Sequence, residues 1–316
     1  MPRTEPKDAR PPPAIEPTTI EPTTTEPTTT EPLGEETALL LEDLYTRCDY
    51  PARVRRDPVC FVRAYSKKED IEIAGLIAAL LSYGRVSLIE RSLRLIFAAM
   101  DARGGPRRFV DEFHMSREAS WLESFRHRVT SGGELGRLFE ALRRMLSGHE
   151  TLEEAFSSHF RRAHPHIGPA LGAFVSAIHD EMRSPAGRAL RHLVPHPSRG
   201  SSCKRLNLFL RWMIRPAGPV DLGIWPSIPP SHLLLPLDTH TLRLSRMLEL
   251  TDRERATWNA TLEITSALRS IDPRDPVRFD FALCHFGMMG GRISALKEPM
   301  RAASPGNPAH GRGTKP

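Results

Sequence analysis

The sequence holds few of the residues that staple or anchor a chain. Its four cysteines, Cys48, Cys60, Cys203 and Cys284, are scattered, with no C-x-x-C pair and no Cys/His cluster. That spacing argues against a disulfide scaffold, a zinc ribbon or an iron–sulfur cluster, so no metal and no cofactor are expected. No apolar run approaches the roughly 20 residues of a membrane span, and the first residues carry no apolar signal core. The expectation is a cytoplasmic protein with reduced thiols that stays off the membrane. No two-residue alternation flanked by hairpin turns stands out, so no strand is expected. Aromatic residues make up 7% of the chain, few enough that each candidate for stacking on a ligand can be weighed singly.

Residues 1–38 repeat "EPTT" every five residues and hold 9 of the 29 prolines and 10 threonines. With so little large apolar surface, this segment cannot offset chain entropy and is expected to be disordered. A second disordered tail is expected over 293–316. The first tail carries 3 basic and 8 acidic side chains, the remainder 41 basic and 30 acidic, so the body is cationic. A basic body suits a polyanion, with nucleic acid the first candidate.

Between the tails the apolar residues recur every three to four positions. "EETALLLEDLYTRC", "KEDIEIAGLIAALLSYG", "RVSLIERSLRLIFAAM", "ELGRLFEALRRML", "TLEEAFSSHFRRA" and "GPALGAFVSAIHDEMR" read as helices, with "DPVCFVRAY" an irregular connector. "SSCKRLNLFLRWMIR", "THTLRLSRMLEL", "RATWNATLEITSALRSI" and "DPVRFDFALCHFG" follow. The reading is an all-α domain of ten or more helices over 39–292. The helix ending at Gly84 is apolar nearly all round and belongs in the middle of a core. Residues 216–236, "PAGPVDLGIWPSIPPSHLLLP", form a Pro- and Gly-rich loop that keeps apolar anchors, a pattern common in functional loops.

Two residues could carry chemistry. Ser201 or Ser202 offers an N-cap that would put Lys204 in the first helical turn, where the helix dipole and burial both disfavour its charge. An amine so placed is more nucleophilic, as Schiff-base chemistry requires; the alternative is a solvated lysine on a basic helix. Cys203 beside it reads as a buried, inert thiol. Asp238 follows Pro236 as the N-cap of the next helix, which is a sufficient structural role. A capping carboxylate also points beyond the helix end, into any cleft there, so the two roles are compatible. Arg205, Arg211, Arg215 and Arg243 are candidate phosphate contacts or else a solvated helix face. Tyr83 and Trp225 are candidates to stack on a base, Trp212 fits an apolar stripe, and His240 reads as a surface or supporting residue.

The segments "IAGLIAALLSYG" and "LLLPLDTHTLRLSRMLEL" resemble, respectively, the first barrel helix and the catalytic-aspartate segment of the helix-hairpin-helix DNA glycosylases, the endonuclease III superfamily. Lys204 stands where some members place a Schiff-base lysine, and the style is closer to the archaeal 8-oxoguanine glycosylase branch. More narrowly, "DPVCFVRAY", "DIEIAGLIAALLSYGRV", "KRLNLFLRWMIR", "VDLGIW" and "LLLPLDTHTLRL" resemble a bacterial family of unknown function adjacent to those enzymes, over about residues 40–290. The chain departs from the glycosylases in lacking an "LPGVGRKTA"-type hairpin, in the long interval between Lys204 and Asp238, and in lacking the cluster cysteines.

The resemblance implies two helical lobes, a barrel over about 68–215 and a second lobe of 40–67 with 230–292. Their cleft would hold Lys204 and Asp238. It implies a monomeric DNA-repair glycosylase or abasic-site lyase acting on a flipped base in DNA or another nucleic acid. Lys204 would be the nucleophile, Asp238 the stabilising carboxylate, and Tyr83 or Trp225 would line the base pocket. The competing expectation is a non-catalytic protein that keeps the fold and binds nucleic acid or a partner.

Overall fold

A computed structural model describes residues 34–182 and 187–291. The tail expected over 293–316, and all but the last five residues of the tail expected over 1–38, lie outside the described residues. Those five do not behave as tail: the first helix, α1 (Glu35–Thr46), already includes Glu35 to Ala38, with two acidic residues in its first turn.

The fold is all-α. After α1 come α2 (Tyr50–Val54), α3 (Val59–Val62), α4 (Lys68–Leu80), α5 (Val86–Asp101), α6 (Pro106–Asp111) and α7 (Met115–Ser124). A minimal hairpin, β1 (Arg126–His127) with β2 (Thr130–Ser131), leads into α8 (Gly132–Leu146), α9 (Leu152–Ser157), α10 (Gly168–Glu181) and α11 (Arg188–Leu193). The last helices of the described residues are α12 (Lys204–Ile214), α13 (Thr239–Met247), α14 (Trp258–Ile271) and α15 (Asp280–Met288). The hairpin strands are two residues each, too short to write an alternating pattern. The supposed connector "DPVCFVRAY" contains α3, started where Asp57 Oδ1 accepts the Val59 amide at 2.9 Å.

All ten residues of α4 from Ile71 to Leu80 are buried, as its apolar circumference implies. Its closest neighbour is α12, and Gly75 makes that approach possible: a Cβ there would lie 2.8 Å from Met213 Cε. A carboxyl side chain of α4 shares the interior. Glu72 accepts the backbone amides of Leu152 and Glu153, at 2.8 and 3.2 Å, and the indole N–H of Trp225 at 2.7 Å. It therefore starts α9 and pins the 216–236 loop with one side chain.

Buried apolar side chains fall into two cores. The larger runs from Val59 on α3 through α4–α12 and the 216–236 loop to Leu234, and also takes Val277 and Phe281. The smaller joins Leu40, Leu41 and Leu44 of α1 to Leu235, Leu237, α13, α14, Phe279, Ala282 and Leu283. The larger core thus takes Val59 and Val62, expected in the second lobe, and extends past 215 into the loop. The chain crosses from one core to the other between Leu234 and Leu235, and again within α15. Asp238 stands just past the first crossing and Cys284 just past the second.

Candidate functional site

The approach to α12 sets the position of Lys204. After a 3-10 turn at Pro197–Arg199, Gly200 turns the chain with φ +76°. Ser201 then forms an isolated bridge with Thr257, and the Gly200 carbonyl accepts the Trp258 amide at 3.0 Å. Cys203 takes a left-handed conformation, φ 48°, which costs a non-glycine residue on the order of 1 kcal/mol. Its burial pushes the thiol up to about 12, so it is the inert thiol expected. Neither serine caps α12. Ser201 Oγ accepts the Cys203 amide at 3.2 Å, and Ser202 Oγ donates to the Leu237 carbonyl at 3.0 Å. Because Ser202 is buried, that bond fastens the entry of α12 to the entry of α13.

Asp238 caps α13 with one oxygen. Oδ1 accepts the amides of His240 and Thr241, both at 2.9 Å, while Oδ2 faces the thiol of Cys284 at 3.8 Å. The cap therefore leaves half the carboxylate for other work. Lys204 is partly buried, and among the described residues its ammonium makes no hydrogen bond and no ion pair. Its charge nevertheless acts on Cys284 and Asp280, as does that of Asp238. Burial, then Asp238, holds the Cys284 thiol above its ordinary value against the pull of Lys204, so the sulfur is a protonated donor at neutral pH.

Asp280, four residues before Cys284 on α15, is committed elsewhere. Its Oδ2 receives Arg211 Nη1 at 2.7 Å, and Arg211 Nη2 reaches Asp221 Oδ2 at 3.1 Å. Burial opposes the Arg211 charge, but the two carboxylates outweigh it and hold the guanidinium above its ordinary value. Arg215 closes the network on Asp275, at 2.7 Å, and on Asp221.

These placements correct several sequence expectations. Arg205 and Arg211 are 8% and 1% exposed, too buried to present a face to a phosphate. Arg205 donates to the Leu80 carbonyl at 2.7 Å and to the His192 carbonyl, and stacks 4.7 Å over the Tyr83 ring. Arg215 is spent on Asp275 and Asp221. Trp225, the expected loop stacker, is fully buried among Phe156 and Phe209 with its N–H on Glu72; Trp212 is equally buried. Tyr83 donates its hydroxyl to the His127 carbonyl at 2.9 Å, pairs with the Thr130 hydroxyl at 2.8 Å, and lines a separate pocket of about 470 Å³ with Arg128, Arg188 and His192. His240 is exposed beside Asp238, and Arg243 is exposed with its guanidinium on the Gly287 and Gly291 carbonyls, at 3.4 and 3.3 Å.

Sequence reasoning missed Cys284 and Asp280. The usable signal was "DFALC", which places a carboxylate and a thiol four residues apart on one face of an otherwise apolar helix. Among the described residues no group of three or more His, Cys, Asp or Glu side chains could hold a metal ion. No described helix is long and apolar enough to cross a membrane.

Neither the curated proteins nor the solved structures contain a match to the chain. Residues 57–289, which span α3 to α15, match the family model described as Protein of unknown function (DUF2400), and the chain belongs to that family.

Proposed function

We propose that the protein is a nucleic-acid lyase of the DNA-glycosylase type, with Lys204 as the amine nucleophile and Asp238 as its carboxylate partner. The observation that carries this reading is the buried Ser202–Leu237 hydrogen bond. It ties the turn before Lys204 to the residue before Asp238, whose second oxygen faces the Cys284 thiol, and the charges of both residues act on that thiol. The cationic body and the sequence likeness of the two segments to helix-hairpin-helix glycosylases favour DNA as substrate, a repair role and action in the cytoplasm.

The chemistry follows from those two groups. The unprotonated Lys204 amine attacks C1′ of a flipped nucleotide as the C1′–N bond to the base breaks. The bonding pair leaves with the base, which takes a proton. Asp238 offers negative charge to the cationic sugar and accepts a proton from the attacking nitrogen. The sugar ring then opens, its oxygen taking a proton, to leave an iminium between C1′ and Nζ. Loss of a C2′ proton expels the 3′ phosphate and cleaves the strand.

Borohydride trapping on oligonucleotides bearing a panel of base lesions and an abasic site tests this. Wild-type protein is expected to give a covalent adduct on at least one substrate, and Lys204→Gln none. Binding without an adduct on any substrate establishes instead the non-catalytic nucleic-acid-binding reading.

A further inference from the structure

A pocket of about 700 Å³ opens between the α2 turn and the end of α15. Its wall includes Arg53 on the last turn of α2, Arg55 and Arg56 in the turn that follows, and His285, Met288 and Met289 of α15 and its end. Met288 also borders Cys284, whose Sγ lies 3.9 Å from Met288 Sδ.

The charges around this pocket are unbalanced. Arg53 Nη1 lies 3.5 Å from the sulfur of Met289 and the side chain also reaches the Cys48 thiol, while its Nε is buried with no hydrogen-bond partner among the described residues. Arg55 and Arg56 are exposed, and among the described residues their guanidinium groups make no hydrogen bond or ion pair. Two carboxylates stand near the three guanidinium groups, one fewer than would balance them. Asp49, on the pocket wall, accepts the Ala52 amide at 3.1 Å. Asp57 accepts the Val59 amide and stands 3.7 Å from His285. Three guanidinium groups crowded round one concavity repel one another until an anion with several acceptor oxygens lies between them. Their planar forks match the oxygens of a phosphate, and a buried unpartnered Nε gains a partner when one arrives.

We infer that this pocket is a phosphate-binding subsite, gripping a phosphate group of a nucleotide or of a nucleic-acid backbone through Arg53, Arg55 and Arg56. It goes beyond the Lys204 chemistry and does not require it. It also supplies a grip on phosphate from the α2 turn, where the sequence offers no glycine-rich hairpin for the task.

The test is equilibrium binding at fixed ionic strength of two probes, inorganic phosphate and a fluorescein-labelled oligothymidylate. Four proteins are compared: wild type, Arg55→Gln/Arg56→Gln, Lys204→Gln, and Arg117→Gln/Arg126→Gln, which removes the same charge from exposed arginines outside the pocket. Arg55→Gln/Arg56→Gln is expected to weaken binding at least about tenfold, with the Arg117/Arg126 control changed by less than about threefold. Site-dependent binding of inorganic phosphate assigns a free phosphate group as ligand; site-dependent binding of the oligonucleotide alone assigns the backbone. Lys204→Gln is expected to bind as wild type even where trapping is lost, which separates this inference from the lyase reading. Equal weakening by the two double variants, or no binding of either probe by wild type, overturns it.

Discussion

The thiol of Cys284 lies 3.8 Å from Oδ2 of Asp238, while Oδ1 of that carboxylate holds the amides of His240 and Thr241. The cap and the thiol contact are thus divided between two oxygens of one side chain, and a pair of substitutions can separate them. Asn caps a helix about as well as Asp, whereas Ala costs about 1 kcal/mol. Asp238→Asn is therefore expected to keep wild-type stability in urea titrations and Asp238→Ala to lose about 1 kcal/mol. Adduct formation is expected to fall in both. Equal destabilisation by Asn and Ala would mean that the oxygen facing Cys284 supports the fold instead.

The same contact sets the reactivity of Cys284. Burial raises its pKa first and Asp238 raises it further. Removing the Asp238 charge is expected to speed native-state alkylation of Cys284 by iodoacetamide, read by peptide mass spectrometry. Cys203, buried and pushed up to about 12, is expected to stay unmodified in both proteins. Identical Cys284 rates in wild type and Asp238→Asn would show that burial alone governs the thiol.

Arg211 ties α12 to α15 through Asp280. Its side chain is 1% exposed between Asp280 at 2.7 Å and Asp221 at 3.1 Å. Removing one member of a buried ion pair costs about 3–5 kcal/mol, because the remaining charges lose their partner. Arg211→Met is expected to fall in that range by guanidinium denaturation. Adding Asp221→Asn and Asp280→Asn should recover part of the loss, and a loss no larger than about 1 kcal/mol in the single variant would refute the pairing argument.

How far the sequence reveals this molecule depends on whether a signal is local. The apolar circumference of α4 marks it as the central helix, and Pro236–Asp238 marks the start of α13, because period and cap are properties of neighbouring residues. Arg205, Arg211 and Trp225 mislead for the opposite reason. Each is polar or amphipathic and reads as a surface group, yet its partner is distant in the chain: Leu80 for Arg205, Asp280 for Arg211, Glu72 for Trp225. The proposed partnership of Lys204 with Asp238 rests on likeness to another family, and the bond that ties the start of α12 to the start of α13, Ser202 to Leu237, joins residues 35 apart and leaves no periodic trace.

Trp225 tests whether the Pro-rich loop is anchored rather than merely packed. Its ring fits between Phe156 and Phe209, and its N–H donates to buried Glu72 at 2.7 Å. Trp225→Phe keeps much of the ring but strips a buried acceptor of its donor, at a cost of about 1–3 kcal/mol. Urea denaturation is expected to show that loss, and Glu72→Gln in the Phe background should add little further. If Trp225→Phe is as stable as wild type, the indole hydrogen bond does not hold the loop.

His166 makes the fold acid-sensitive. Its Nδ1 accepts the Gly168 amide at 3.0 Å at the start of α10, which requires the neutral ring. Burial, and next the charge of Arg269, brings its pKa from 6.5 down to about 4. A histidine depressed in the folded state gives its full stability above the unfolded value and loses it as pH falls from about 6.5 through 4. The amount is up to about 3 kcal/mol. Burial lowers His127, His179, His192 and His196 in the same direction. Urea midpoints measured across this range are expected to fall more steeply for wild type than for His166→Asn, whose side-chain oxygen can still accept the Gly168 amide without titrating. Parallel curves for the two proteins would rule out His166 as a source of the acid sensitivity.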